Sequence, residues 1–230
     1  MQISNIVFPR IGTPVRLDNG TINIEPIPGI GGPFDTASAF FRAWAKATKF
    51  PLSEQQVREV CGPFGDEIWE STSSFPARLG RLSNSIAGPY DKGPFPLVHV
   101  DYGHNNIIVD TEYNMLGVID FENMIVAPWT MVEFPLTVRA TPVPMDLPSN
   151  YSSDGFPKVD DLKANHIDRE KYLQEVVGAE RRLGVPPKLS EVLSTGHFRD
   201  VAAAMKLFAV DGKTGWYSRV LDSFESAVRG

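Results

Sequence analysis

Residues 97–122 read LVHVDYGHNNIIVDTEYNMLGVIDFE, and the interpretation of the whole chain turns on this stretch. Phe95 to Val98 is a short apolar run, Ile107 to Val109 a second and Leu116 to Ile119 a third, each bounded by polar residues or glycine. The last two runs predict a β-hairpin, with Asp110-Thr-Glu-Tyr-Asn114 as its turn. A hairpin of that register sets Asn106 and Asp120 at the same end of the paired strands, and Asp101 faces them from the preceding loop. His99 lies between Val98 and Val100, so it is expected to brace the loop from its apolar side rather than to carry protons. His104 is expected in solvent, and Asn105 and Asp110 are turn formers.

Three polar groups in this order suit phosphoryl transfer. Magnesium prefers oxygen ligands, keeps several waters and takes only one or two protein groups, with substrate phosphates completing the shell. Asn106 and Asp120 supply one neutral and one charged oxygen donor, which leaves the ion's positive charge available to phosphate. Asp101 is then placed to accept the proton of an attacking hydroxyl. A carboxylate is a feeble base at neutral pH, but a loose transition state needs orientation first and proton removal late. Positioning is its main task.

The His-x-Asp triplet at 99–101, the Asn five residues after that Asp, and the Ile-Asp-Phe-Glu strand end at 119–122 resemble the aminoglycoside phosphotransferase and choline kinase family, most closely its large fungal branch. The loop departs from the usual His-Gly-Asp, with Val100 in the middle. The resemblance implies an α+β, mainly helical fold: the C-terminal lobe of a protein kinase-like architecture carrying a small catalytic hairpin. It further implies Asp101 as catalytic base, Asn106 and Asp120 as magnesium ligands, ATP as co-substrate and a small-molecule hydroxyl as acceptor. His99 keeps its structural role. The acceptor is not specified, because one fold and one site serve many substrates.

The residues before the loop do not read as a nucleotide-binding lobe. Ile11 to Arg16 and Thr21 to Ile24 predict two strands joined through Asp18-Asn19-Gly20. Helices are expected from a cap at Asp35 to about Lys49, from a cap at Ser53 to about Val60, and over Asp66 to Ile86 with a kink or division at Pro76. Gly29, Gly31 and Gly32 invite comparison with a phosphate loop, but Pro28 and Pro33 lack amide hydrogens and no Walker lysine follows. They read as a connector. No strand here offers a lysine partnered by a helical glutamate, the pair that aligns nucleotide phosphates in kinase folds. The expected organisation is therefore a hairpin and connector over 1–32 and a kinase-like lobe over 33–230, with the nucleotide-binding lobe absent or supplied by a partner.

Loss of a preorganised donor of that kind costs about 3 kcal/mol. Two rival classes follow: a noncatalytic, pseudokinase-like binding module or truncated gene product, and a metal-dependent hydrolase using His99, Asp101, His104 and Asp120. The hydrolase reading leaves Asn106 idle.

After the site, Trp129 is expected as a core plug, and Thr130 to Val138 as a short helix broken at Pro135. Thr141 to Pro157 reads as irregular, solvated loop; the resemblance implies that this region helps line the acceptor pocket, where Asp146, Tyr151 and Asp154 could meet a cationic acceptor. Helices follow from a cap at Asp168 to about Leu183, over Leu189 to Leu193, over His197 to Phe208 and over Thr214 to Val228.

Composition bounds the rest. The 230 residues hold enough apolar side chains for a core, and a formal net charge of −6 argues against nonspecific nucleic-acid binding. A single cysteine, Cys61, excludes an intrachain disulfide and makes a reducing compartment the default. No run approaches the ~20 apolar residues of a membrane span, so the expectation is a cytoplasmic protein with no membrane partner.

Overall fold

A computed structural model describes residues 3–122 and 124–229. The chain opens with β1 (Val7–Phe8), β2 (Thr13–Arg16) and β3 (Ile22–Glu25). Four helices follow: α1 (Ala37–Ala47), α2 (Glu54–Cys61), α3 (Gly65–Arg81) and α4 (Ser83–Ala87). Then come β4 (Phe95–Val98), β5 (Ile107–Val109), β6 (Met115–Val118) and β7 (Ile125–Val126). The C-terminal part is helical, with α5 (Asp160–Leu183), α6 (Lys188–Ser194), α7 (Gly196–Lys206) and α8 (Tyr217–Arg229). This is a mixed α+β fold, dominated by helices, in which the described strands form small antiparallel sheets.

The core is aromatic. Phe40, Phe41 and Trp44 of α1 meet Phe75 and Leu79 of α3, Phe208 just after α7, and Tyr217, Leu221 and Phe224 of α8. Phe75 sits 5.0 Å from Tyr217, 5.5 Å from Phe208 and 6.2 Å from Trp44, ring centre to ring centre. Each such ring contributes about 1.5–3 kcal/mol by leaving water, and the Trp44–Phe75 pair is in addition edge-to-face. Ile11, Ile24 and Ile27 of the N-terminal segment belong to the same core. A smaller cluster of Phe134, Val176, Leu189 and Leu193 joins α5 and α6 to the segment after the sheet.

That core holds the strand from which the loop departs. β4 lies between β1 and β7, with Leu97 opposite Val126 and Phe95 opposite Phe8. Phe95 is fully buried, so the backbone entering His99 starts from a fixed point. Gly12 and Val126 exchange backbone hydrogen bonds of 3.1 and 2.8 Å, which fasten the β2–β3 hairpin to the same sheet.

Several expected elements stand as read, and others shift for identifiable reasons. The β2–β3 hairpin turns at Asp18-Asn19-Gly20, where Gly20 has φ of 82°. Ser53 closes a full capping box with Gln56 at the start of α2. The cap of α1 is Thr36, not Asp35: its hydroxyl accepts from the Ala39 amide. Pro76 does not divide α3, and the break falls instead at Leu82, with Phe75 and Leu79 anchoring both sides of the proline in the core.

α5 begins at Asp160, eight residues before the expected cap at Asp168. Val159 precedes it without a side-chain cap, and Asp160 and Asp161 instead favour the positive end of the helix dipole. Its end is as expected, with Gly184 left-handed at φ 63°. Residues 130–138 do not form an α-helix but two 3₁₀ turns, Trp129–Met131 and Leu136–Val138, each entered from a proline. Among the described residues no helix is long and apolar enough to cross a membrane.

Candidate functional site

β5 and β6 pair antiparallel, with Ile107 opposite Val118 and Ile108 opposite Gly117. A bulge at Ile108–Val109 then sets Val109 against Met115. The turn is held by Asp110, whose Oδ1 accepts from the Glu112 and Asn114 amides at 2.9 and 2.8 Å. Its Oδ2 accepts from the Asn114 side chain, and these bonds hold the carboxyl below its ordinary range. At the open end, the Ile119 amide donates to the Asn106 carbonyl at 3.0 Å. Asn106 and Asp120 therefore leave the hairpin from the same end.

Asn106 is buried, at 5 % exposure, and its amide is committed. Nδ2 donates to the Asp101 main-chain carbonyl at 2.8 Å and to Asp101 Oδ2 at 2.9 Å. Two acceptors at that nitrogen fix the amide's orientation and leave the Oδ1 oxygen for another partner. Asp101 Oδ1 likewise accepts no hydrogen bond among the described residues.

His99 is a strut. Nδ1 accepts from the Asp101 amide at 3.3 Å, so Nε2 carries the hydrogen and donates to the Ile119 carbonyl at 3.0 Å. One ring thus ties the Asp101 loop to the residue before Asp120, with the Phe121 ring packed at 5.3 Å. Both nitrogens are engaged, which leaves the hydrolase reading without its first imidazole ligand. His104 is exposed, and no group of three or more His, Cys, Asp or Glu side chains suited to a metal gathers among the described residues.

Asp120 is exposed and has φ of 59°, in the left-handed region. Aspartate tolerates that region better than most residues, at a cost of about 1–3 kcal/mol. Asp120 follows Ile119, whose amide bonds the Asn106 carbonyl, so the two residues leave the hairpin at the same end. Asn106 Oδ1 and the Asp120 carboxylate are hard oxygen donors, one neutral and one charged, a set that fits magnesium.

Two residues not singled out from the sequence lie near the loop, and one of them, Lys206, bonds to it. Lys206, at the end of α7, donates from Nζ to the Val100 carbonyl at 2.9 Å. Burial pulls its pKa down, while Glu133, Asp211 and Asp101 push it up. Glu133, on the segment after Trp129, is crowded by protein, and that burial raises its pKa against the pull of Lys206, Arg139 and Arg169. The only hint in the sequence was Lys206 itself, one charge inside the apolar run from Val201 to Val210.

Trp129 is buried and donates from Nε1 to the Pro94 carbonyl at 2.9 Å, while the Lys188 ammonium sits 4.4 Å from its ring centre. Asp146 accepts from the Tyr151 hydroxyl at 3.1 Å and from the Asn150 amide at 3.2 Å, and Asp154 accepts from the Phe156 amide at 3.1 Å. These three serve their own loop. No family model matches the chain, and neither a curated protein nor a solved structure does.

Proposed function

We propose that this chain is the larger lobe of a small-molecule phosphotransferase, which transfers the γ-phosphate of ATP to a substrate hydroxyl. The observation that carries the reading is the double donation from Asn106 to Asp101, because it orders the two residues that the reaction needs and leaves the Oδ1 oxygen of each without a hydrogen bond among the described residues. The left-handed Asp120 next to it, tied back through His99, supports the same reading.

In this scheme Asp101 Oδ1 receives the hydrogen bond of the acceptor hydroxyl and holds its oxygen for in-line attack. As the new oxygen–phosphorus bond forms and the bond to the ADP leaving group breaks, the hydroxyl proton passes to Asp101. Asn106 keeps that carboxylate in one rotamer. Asn106 Oδ1 and Asp120 would hold magnesium, which supplies charge neutralisation on the phosphate oxygens. A partner or further segment contributing a lysine and a phosphate-covering loop would complete nucleotide binding.

Manganese, a paramagnetic substitute for magnesium, tests the site directly. Titrated into isotopically labelled protein, it should broaden the amide signals of Asn106, Ile107, Asp120 and Phe121 first, and Asp120→Ala should remove that selectivity. Uniform broadening, or none at millimolar ion, would overturn the assignment.

A further inference from the structure

A cleft of about 890 Å³ runs along the inner side of the loop, from the β5–β6 hairpin to α5. Its walls are apolar, built from residues such as Trp44, Leu97, Phe134, Tyr172, Val176 and Leu193. His99, Val100 and Tyr102 form part of the lining, whereas Asp101, bonded to Asn106, does not. The volume lies in the range of small-molecule sites, and a few convergent polar groups in such a cleft set orientation and specificity.

Glu133 and Lys206 are those groups. Both line the cleft. Glu133 makes no hydrogen bond or ion pair with the described residues, and Lys206 uses one of its three hydrogens on the Val100 carbonyl. The two form no ion pair with each other, so the cleft presents a carboxylate without a hydrogen bond and, within electrostatic reach of it, an ammonium with hydrogens to spare. A carboxylate left unpaired in an apolar cleft is costly unless a ligand supplies the missing bond.

The surrounding charges choose the ligand's head. An ammonium attracted by Glu133 would also meet Lys206, Arg139 and Arg169. A carboxylate attracted by Lys206 would meet Glu133 and Asp101, while Arg139 and Asp211, paired with each other at 2.5 Å, largely offset one another. A neutral hydroxyl or primary amide donates to one and accepts from the other, and carries no charge to desolvate. Glu175 and Arg182 also line the cleft, but both are exposed, so water screens them.

We infer that this cleft binds a neutral amphipathic molecule: an extended apolar body along α5 and the hairpin, with an alcohol or amide head between Glu133 and Lys206. The inference stands apart from phosphoryl transfer, since it uses neither Asp101 nor Asp120.

Three probes with the same chain and different heads test it: 1-decanol, decylammonium and decanoate, each titrated by calorimetry into the full chain at neutral pH. Decanol should bind roughly tenfold more tightly than either charged probe. Glu133→Gln should narrow the gap between decanol and decanoate, because it removes the opposing carboxylate. Ala179→Trp, on the cleft wall, should abolish decanol binding. Should that variant fold poorly, nuclear Overhauser contacts from decanol to the Val176 and Leu193 methyls of the unaltered protein give the same information. Tighter binding of either charged probe, contacts to other methyls, or no decanol binding up to its solubility would overturn the inference.

Discussion

Phe75, midway along α3, and Asn106, at the open end of the β5–β6 hairpin, are both withdrawn from water, at 0 % and 5 % exposure. Phe75 is held by rings on three other elements, an arrangement that is nondirectional and tolerant of small shifts. Asn106 is held by hydrogen bonds of 2.8 and 2.9 Å that have one good geometry each. The hairpin it terminates buries little: Ile108, Val109, Met115 and Leu116 are all exposed. Stability in this molecule lives in the aromatic helical body. Precision lives in the polar junction of loop and hairpin, which that body anchors through β4.

Truncation in the body gives the largest expected effect. Phe75→Ala should destabilise the fold by about 3–5 kcal/mol, read as a lower midpoint in urea denaturation. A much smaller loss would mean that the body repacks freely, and the contrast with the junction would dissolve. At the junction, Asn106→Ala should cost less, about 1–3 kcal/mol, since it strips the Asp101 carbonyl and carboxylate of their shared donor. Its sharper consequence is local: amide exchange should speed up at Asp101 and Ile119 while α3 and α8 stay protected.

Smaller again is the cap of α2. Ser53→Ala should lose about 1 kcal/mol, measurable in the same denaturation series. The smallest effect is one of pH. Burial against Phe198 and Phe224 lowers the pKa of His197, so the unfolded chain takes up a proton there more readily than the folded one. The stability tied to His197 is complete above its unfolded pKa, about 6.5, and falls as pH drops below that value. His197→Gln should flatten the stability profile between pH 7.5 and pH 5.5 by a measurable margin, checked by paired urea titrations.

Features written in local sequence were legible. The hairpin, its turn at Asp110, the Ser53 cap and the Gly184 stop each depend on neighbours within a few positions, and each is where the spacing set it. The nearness of Asp101 to Asn106 was legible as well, but the hydrogen bonds from the Asn106 amide to Asp101 were not. What depended on distant packing was not legible. Pro76 stays inside a helix because Phe75 and Leu79 are pinned by other elements, and α5 starts at Asp160 with no capping side chain to announce it. Lys206 reaches Val100 across 106 positions, and Glu133 gains its environment from charges on several segments. No periodicity encodes those approaches.

Magnesium-dependent ATP binding is the measurement on which the proposed phosphoryl-transfer role of Asp101, Asn106 and Asp120 stands or falls. Calorimetry on this chain should detect binding that needs magnesium and is weaker than about 100 μM, near −5.5 kcal/mol, because the residues ahead of the loop offer no lysine–glutamate clamp. Asp120→Ala should weaken it roughly tenfold or more, about 1.4 kcal/mol. Binding that is unchanged in Asp120→Ala, or no magnesium-dependent binding at millimolar ATP, would mean that this junction holds neither metal nor nucleotide.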